Sequence, residues 1–168
     1  MKKPFDHRVI IGVMGGGTTK QSNEQMAYEL GKHIAEQGWI LLNGGRNCGV
    51  MDASAKGAKQ NGGMTIGILP DSHIEQMSQW IDIPILTDMG MARNAINVLS
   101  SHVVVACSGG AGTLSEIALA LKCNKTVIAM GWNPGTSFDI FADMGQLYMS
   151  STPEETILKI QMILGLTS

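Results

Sequence analysis

Residues 103–121 read VVVACSGGAGTLSEIALAL. A β-branched run opens this segment, glycines cluster at 109–112, and an apolar pattern of helical spacing closes it. The segment therefore predicts a strand, a tight turn and a helix, in that order. Such a turn lets main-chain N–H groups approach an anion, and the helix N-terminus adds the positive end of its dipole. The spacing matches neither the Walker P-loop nor the Gly-x-Gly-x-x-Gly fingerprint, so it predicts a phosphate site of another kind.

The composition around this segment limits the class of protein. The chain has 168 residues, of which 44% are apolar and 15% charged, and its net charge is −2. This length suits one domain, and we predict a single domain over residues 1–168. The negative balance and the lack of a Lys/Arg cluster argue against a nucleic-acid partner, and no apolar segment reaches bilayer length. Three cysteines, an odd number at unrelated spacings, predict free thiols in the cytoplasm.

Short apolar runs alternate with helical patterns along the whole chain. The candidate strands are residues 8–14, 39–42, 64–69, 81–86, 102–107, 126–130 and 147–149. This alternation predicts a three-layer, Rossmann-like α/β fold, with a doubly wound parallel sheet of six or seven strands. We expect the first three strands to wind one way, the fourth to lie at the edge beyond the third, and residues 102–107 to lie beside the first strand. Ligands bind such sheets at the carboxyl ends of the strands, where the winding reverses.

Three clusters of glycine follow candidate strands of this sheet. They occupy residues 15–17, 43–49 and 108–113, all at strand carboxyl ends. One glycine per turn is ordinary, but three clusters predict a shared crevice for a phosphorylated, flat organic ligand. The candidate binding residues in these loops are Gly15, Gly16, Gly17, Asn43, Gly44, Gly45, Arg46, Ser108, Gly109, Gly110, Gly112 and Thr113.

Two arginines are candidate anion ligands. Arg46 either binds a phosphate or a carbonyl of the ligand, or is a solvated loop residue. Arg93 shares a helical stripe with Asn97 and Ser100, opposite an apolar side formed by Ala92, Ala95, Ile96 and Leu99. That polar stripe either faces the crevice or is an ordinary polar face or subunit contact. The histidines and cysteines lack metal-ligand spacing, so no protein metal site is predicted.

Helix starts are predicted from capping patterns. Ser22-x-x-Gln25 and Ser72-x-x-Glu75 have capping-box form, and Thr152-Pro153 places proline at a first helical position. Thr113-x-x-Glu116 is also a capping box, which gives Glu116 two candidate roles. Its carboxylate either caps the helix, or stabilises an oxocarbenium-like centre or activates water beside a bound sugar.

Residues 108–116 resemble the Pro-Gly-Gly-x-Gly-Thr-x-x-Glu pattern of the Rossmann-like superfamily once called lysine decarboxylases, with serine in place of proline. This superfamily includes the LONELY GUY phosphoribohydrolases and the molybdenum cofactor carrier proteins. Arg93 matches an arginine of the hydrolases, whereas Asn94 and Ser115 stand where they have lysine and glutamate. For a hydrolase of nucleoside 5′-monophosphates, the resemblance implies that Arg93 positions phosphate or ribose and that Glu116 stabilises the ribosyl cation.

Most of the chain is more similar to the carrier proteins, including residues 10–15, 38–42, 92–94 and 118–122. This resemblance implies a non-catalytic carrier that binds the molybdenum cofactor as cargo, protects it and hands it on to molybdoenzymes. The phosphate of this pterin would rest on the glycine loops, and the cofactor's own sulfurs would hold the metal. The resemblance also implies a homo-oligomer, either a dimer or a tetramer. Phosphoribohydrolase activity is the alternative.

Overall fold

The computed structural model of the protein describes residues 8–166. Within this range one parallel sheet contains β1 (Ile10–Met14), β2 (Ile40–Asn43), β3 (Met64–Leu69), β4 (Ile83–Leu86), β5 (Val103–Cys107), β6 (Thr126–Met130) and β7 (Leu147–Ser150). The α-helices are α1 (Gln21–Glu36), α2 (Gly49–Gln60), α3 (Asn94–Ser100), α4 (Ala111–Lys122), α5 (Asp139–Asp143) and α6 (Pro153–Ile163). Short 3₁₀ turns at Gly90–Arg93 and Thr136–Phe138 precede α3 and α5.

The strand order is β4-β3-β2-β1-β5-β6-β7. The predicted fold is thus confirmed, including the edge position of β4 and the pairing of β5 with β1. Gly12 is in register with Val104 of β5 on one side and with Leu42 of β2 on the other. The winding therefore reverses between β1 and β5, and the loops that follow these two strands flank the switch point.

Two apolar layers cover the sheet because successive strand residues point to opposite faces. Val103 and Val105 pack with residues of α1, α2 and α6, such as Leu30 and Ile160. Val104 and Ala106 instead pack with residues of α3 and α4, such as Val98 and Ile117. Each helix layer thus closes one face, and the carboxyl edge between the layers stays open for a ligand.

Three of the predicted helix starts are wrong. The first helix begins at Gln21 without a side-chain cap, so Ser22 is already helical. No helix begins at Ser72, because residues 71–80 form turns that are tied to the second glycine loop through bonds such as Ser78 N–H to the Gly45 carbonyl, 2.8 Å. Thr113 lies two residues inside α4, so it does not cap that helix. Only Thr152 behaves as predicted, since its side chain accepts a hydrogen bond from the Glu155 N–H and Pro153 follows it.

No helix within residues 8–166 has the length and apolar character needed to cross a bilayer.

Candidate functional site

A cavity of about 340 Å³ opens at the carboxyl edge of the sheet, beside the junction of β1 and β5. All three glycine loops contribute to its wall. The predicted residues that line it are Gly15, Gly16, Gly17, Gly44, Arg93, Gly110, Gly112, Thr113 and Glu116. The cavity is also lined by five residues that were not predicted as ligand contacts: Val13, Met14, Thr18, Met51 and Asn94. Thr18 extends the first glycine loop, and Asn94 adjoins Arg93, so their sequence positions could have indicated that these two line the site.

Main-chain hydrogen bonds hold the loops together. The Gly16 N–H donates to the Ser108 carbonyl at 3.3 Å, and the Val50 N–H of α2 donates to the Gly16 carbonyl at 3.1 Å. A side chain on Gly109 would collide with Thr113, and its Cβ would lie 2.9 Å from the Gly16 nitrogen. Glycine at 109 therefore permits the first and third loops to pack backbone against backbone.

The N-terminus of α4 faces this cavity without a side-chain cap. Its N-cap residue is Gly110, and Gly112 and Thr113 of its first turn line the cavity. The first N–H groups of a helix have no intrahelical acceptor, and they need a side chain, water or a ligand. Within residues 8–166 no side chain fills that role here. The helix dipole adds positive potential at the same place, so this end of α4 is suited to an anion.

Arg93 is a buried cation without an anionic partner. Its residue is only 9% exposed, and its Nη1 donates to the amide oxygen of Asn94 at 3.2 Å. Among the described residues no carboxylate lies within ion-pair distance of it, and its Nε has no hydrogen-bond partner. Burial lowers the pKa of Arg93, the charge of Glu116 raises it, and Arg46 lowers it further. An arginine stays protonated in proteins, so this side chain brings to the cavity wall a positive charge that forms no direct ion pair among the described residues.

Glycine at position 44 makes room for that guanidinium. A Cβ at this position would lie 2.6 Å from Nη1 and 2.7 Å from Nη2 of Arg93. The backbone of the second glycine loop thus lies close against the arginine.

Glu116 also lines the cavity, and it is buried in the second turn of α4. Its Oε1 accepts a hydrogen bond from Nδ2 of Asn97 at 3.2 Å. Burial raises the pKa of Glu116, while the Asn97 hydrogen bond and the charge of Arg93 oppose that rise. Glu116 is therefore no helix cap. Of the polar stripe, Arg93 lines the crevice, Asn97 is buried beside Glu116, and Ser100 is exposed.

Five of the predicted binding residues lie behind the cavity wall: Asn43, Gly45, Arg46, Ser108 and Gly109. Asn43 braces the second loop, since its Nδ2 donates to the Met51 carbonyl at 2.8 Å and its Oδ1 accepts from the Gly45 N–H at 2.8 Å. The guanidinium of Arg46 is bound to Asp71 at 3.0 Å and to Gln76 at 2.8 Å. These contacts give Arg46 a structural role between the second loop and residues 71–76.

Thiol and metal chemistry have little support at this site. Burial raises the pKa of the Cys107 thiol to about 12, so it stays protonated at neutral pH. Within residues 8–166 no group of three or more His, Cys, Asp or Glu side chains is placed to hold a metal ion.

These features define a class of protein. The chain is a Rossmann-like α/β protein whose glycine loops, uncapped helix and buried arginine surround a crevice at the switch point of the sheet. It belongs to the SLOG cluster4 family, whose sequence profile matches residues 8–157. The predicted superfamily resemblance is thereby confirmed.

Two solved structures are similar over nearly the whole chain. One is the molybdenum cofactor binding protein from the phototrophic bacterium Rippkaea orientalis, with 47% identity, a TM-score of 0.89, and coverage of 95% of this chain and 99% of that chain. The other is the molybdenum cofactor carrier protein of Chlamydomonas reinhardtii, with 44% identity, a TM-score of 0.88, and coverage of 95% and 99%.

A curated relative has an enzymatic name. The chain is 35% identical over 95 residues to a cytokinin riboside 5′-monophosphate phosphoribohydrolase of Mycobacterium tuberculosis. That alignment covers 55% of this chain and 51% of the hydrolase, so the similarity spans about half the length of this relative.

Proposed function

We propose that this protein is a non-catalytic carrier, which binds the molybdenum cofactor, shields it and releases it to molybdoenzymes. The observation that carries this proposal is the unpaired, buried guanidinium of Arg93 beside the uncapped start of α4. Burying a charge without an ion-pair partner costs about several kcal/mol of folding free energy, unless a bound ligand compensates that charge. An anionic group of a bound ligand supplies that compensation, and the whole-chain similarity to two cofactor-binding proteins identifies the ligand class.

Each part of the crevice has a task in this proposal. The N–H groups at the start of α4 and the guanidinium of Arg93 bind the terminal phosphate, and the glycines keep side chains out of its path. Met14 and Met51 supply apolar cover to the organic part of the cargo. Molybdenum stays on the cofactor's own dithiolene sulfurs. Reversible binding of this kind needs hydrogen-bond donors and steric cover but no nucleophile.

Glu116 is the residue that favours a second candidate function. A buried carboxyl group with a raised pKa in a phosphate-binding crevice is the kind of group that serves as an acid or base in N-glycosidic cleavage. The alternative is therefore a nucleoside 5′-monophosphate phosphoribohydrolase in which Arg93 and Glu116 are catalytic. Asn97 argues against it, because its hydrogen bond engages the carboxylate that would face the ribose.

We also propose that the carrier acts in the cytoplasm as a homo-oligomer. Its three cysteines are free thiols, which fits a reducing compartment. Met91 and Leu99, on the outer side of the segment that carries Arg93, are 88% and 55% exposed. A second copy of the chain would cover such side chains.

The cargo proposal is tested with the wild-type protein and with Arg93→Met. We expect wild-type protein to take up released cofactor and to restore a cofactor-free molybdoenzyme, while releasing no base from the four common nucleoside monophosphates or from cytokinin nucleotides. Arg93→Met should weaken cofactor binding about tenfold to a hundredfold, which is the scale of a charge-assisted hydrogen bond.

Arg46→Gln is the matched control, because Arg46 is bound to Asp71 outside the cavity lining. It should leave cofactor affinity within about threefold of wild type, because a half-buried ion pair outside the cavity lining contributes little to binding there. Robust base release that Glu116→Gln abolishes, with no cofactor retained, would overturn the carrier proposal in favour of the hydrolase.

A further inference from the structure

A second cavity of about 590 Å³ adjoins the first one. Gly17 and Thr18 line both cavities, so a ligand that reaches from one into the other passes over this dipeptide. Gly17 has no side chain to obstruct that path, and a Cβ there would lie 3.2 Å from the Cys48 sulfur. The outer walls of the second cavity come from α1, through Glu24 and Tyr28, and from α2, through Asp52 and Lys56.

The two cavities differ in their charged groups. The first contains Arg93, Glu116 and the uncapped N-terminus of α4. The charged side chains that line the second are Glu24, Asp52 and Lys56. Lys56 forms no ion pair with either acid in the described residues, and its Nζ lies 5.9 Å from the ring centroid of Trp80. The second cavity therefore has one more acid than base, and neither of its carboxylates is paired with Lys56.

Asp52 is held in a fixed orientation. Its Oδ1 accepts a hydrogen bond from the Ser78 hydroxyl at 2.7 Å, and Ser78 is fully buried. Ser78 is itself fixed by its N–H bond to the Gly45 carbonyl at 2.8 Å. Within the described part of the chain, Oδ2 of Asp52 has no hydrogen-bond or ion-pair partner. The result is a preorganised carboxylate with free acceptor capacity on a cavity wall.

A carboxylate of this kind selects for a particular ring edge. The 2-amino-4-oxopyrimidine ring of a pterin places two N–H donors side by side, and one carboxylate accepts both. Adenine instead places one amino donor beside a ring nitrogen that is an acceptor, so the same carboxylate gains one bond and meets a repelling lone pair.

We propose that the second cavity is the subsite for the aminopyrimidinone edge of the cargo pterin, and that Asp52 is the residue that recognises it. This inference rests on the proposed carrier function, and it adds an orientation: the phosphate lies at Arg93 and α4, and the pterin ring lies between α1 and α2. Arg93 and the start of α4 in the first cavity, and the unpaired oxygen of Asp52 in the second, favour that direction of binding. Glu24 adds negative potential at the far wall.

The test separates the two ends of the cargo by using fragments. Saturation-transfer NMR on the full chain measures binding of 6-hydroxymethylpterin, which has no phosphate, and of adenosine, while ³¹P line broadening measures binding of inorganic phosphate. We expect wild-type protein to bind the pterin more tightly than adenosine. Asp52→Asn should weaken pterin binding at least tenfold and leave phosphate binding within about twofold, which also shows that the variant is folded.

Arg93→Met should show the reverse pattern, with phosphate binding lost and pterin binding retained. Asp139→Asn, at an exposed acid in α5, is the matched control and should change neither. Pterin affinity that is unchanged in Asp52→Asn, or absent from wild-type protein, overturns the subsite even if the intact cofactor is bound and transferred. Pterin binding that depends on Asp52 without any uptake of the cofactor refutes the carrier proposal instead and leaves the subsite in place.

Discussion

Arg46 and Arg93 are both predicted from the sequence as anion ligands, but they have different surroundings in the fold. Arg46 follows β2 and Arg93 directly precedes α3. Arg46 is bound to Asp71, whereas Arg93 is buried with an unpartnered Nε. The sequence could not separate them, because Asp71 reaches Arg46 only through the turns at residues 71–80.

Glu116 gives a prediction for the pH dependence of stability. Burial raises its folded-state pKa above the value in the unfolded chain, so the native state binds its proton more tightly. The free energy of unfolding of the wild-type protein should therefore fall as pH rises from about 4.5 through the raised pKa of Glu116. Above that pKa the full cost of the buried, ionised carboxylate should be present. Glutamine at 116 has no proton to lose. Urea unfolding of both proteins should show Glu116→Gln gaining relative to wild type across that range and then levelling off.

A control with the opposite sign comes from Glu154, which is exposed at the start of α6. Hydrogen bonds to its own backbone N–H and to Thr152 lower its pKa. Any stability it contributes is present above its ordinary pKa and lost as pH falls. While its partner His33 is still protonated, Glu154→Gln should therefore not gain with rising pH. A flat difference between Glu116→Gln and wild type would contradict the burial of an ionisable carboxyl group at 116.

At the scale of elements, the strands were more predictable than the helix starts. Strands buried on both faces appear as continuous apolar runs, and right-handed crossovers with short connections leave few possible orders. A capping box is a local pattern of two residues, and it does not report where tertiary contacts start a helix. Thr113 and Glu116 illustrate this, since α4 begins at Ala111 and its first turn is open to the cavity.

The uncapped start of α4 predicts a conflict between stability and binding. A side chain at position 110 would meet open space, and the residue already has an extended backbone that suits an N-cap. Gly110→Asp should cap the helix and complement its dipole, raising the free energy of unfolding by about 0.5–1 kcal/mol. The same carboxylate occupies the anion site, so inorganic phosphate binding should fall more than tenfold. Chemical denaturation and ³¹P NMR measure the two effects on one protein.

The capped helix α6 supplies the comparison for that experiment. Thr152→Ala removes a cap that accepts from the Glu155 N–H, so it should cost about 1 kcal/mol of stability and leave phosphate binding unchanged. Gly110→Asp protein that binds phosphate as wild type does would place the anion away from α4.

At the scale of the whole molecule, both helix layers leave large apolar side chains exposed, with Leu158 and Met162 on α6 in one of them. In the layer that contains α3 and α5, large apolar side chains are exposed at Met91, Leu99, Ile140 and Met144. In the segment 90–100 the polar residues Arg93 and Asn97 are buried, while the apolar Met91 and Leu99 are exposed. Sequence spacing left both orientations of this segment open, because only the crevice provides a reason to bury the polar side.

We therefore expect association through the layer of α3 rather than through that of α6. Multi-angle light scattering of the wild-type protein should give a multiple of the 17.9 kDa chain mass, and Leu99→Glu should reduce it to one chain. A charged side chain at the centre of a standard interface of about 800 Å² per partner is strongly unfavourable, whereas in a monomer it is solvated. Leu158→Glu is the control, since Leu158 is 62% exposed on α6 in the opposite layer and should leave the mass unchanged. If Leu158→Glu dissociates the protein and Leu99→Glu does not, the interface lies on the α6 side, and assembly is then uncoupled from the helix that carries Asn97 beside Glu116.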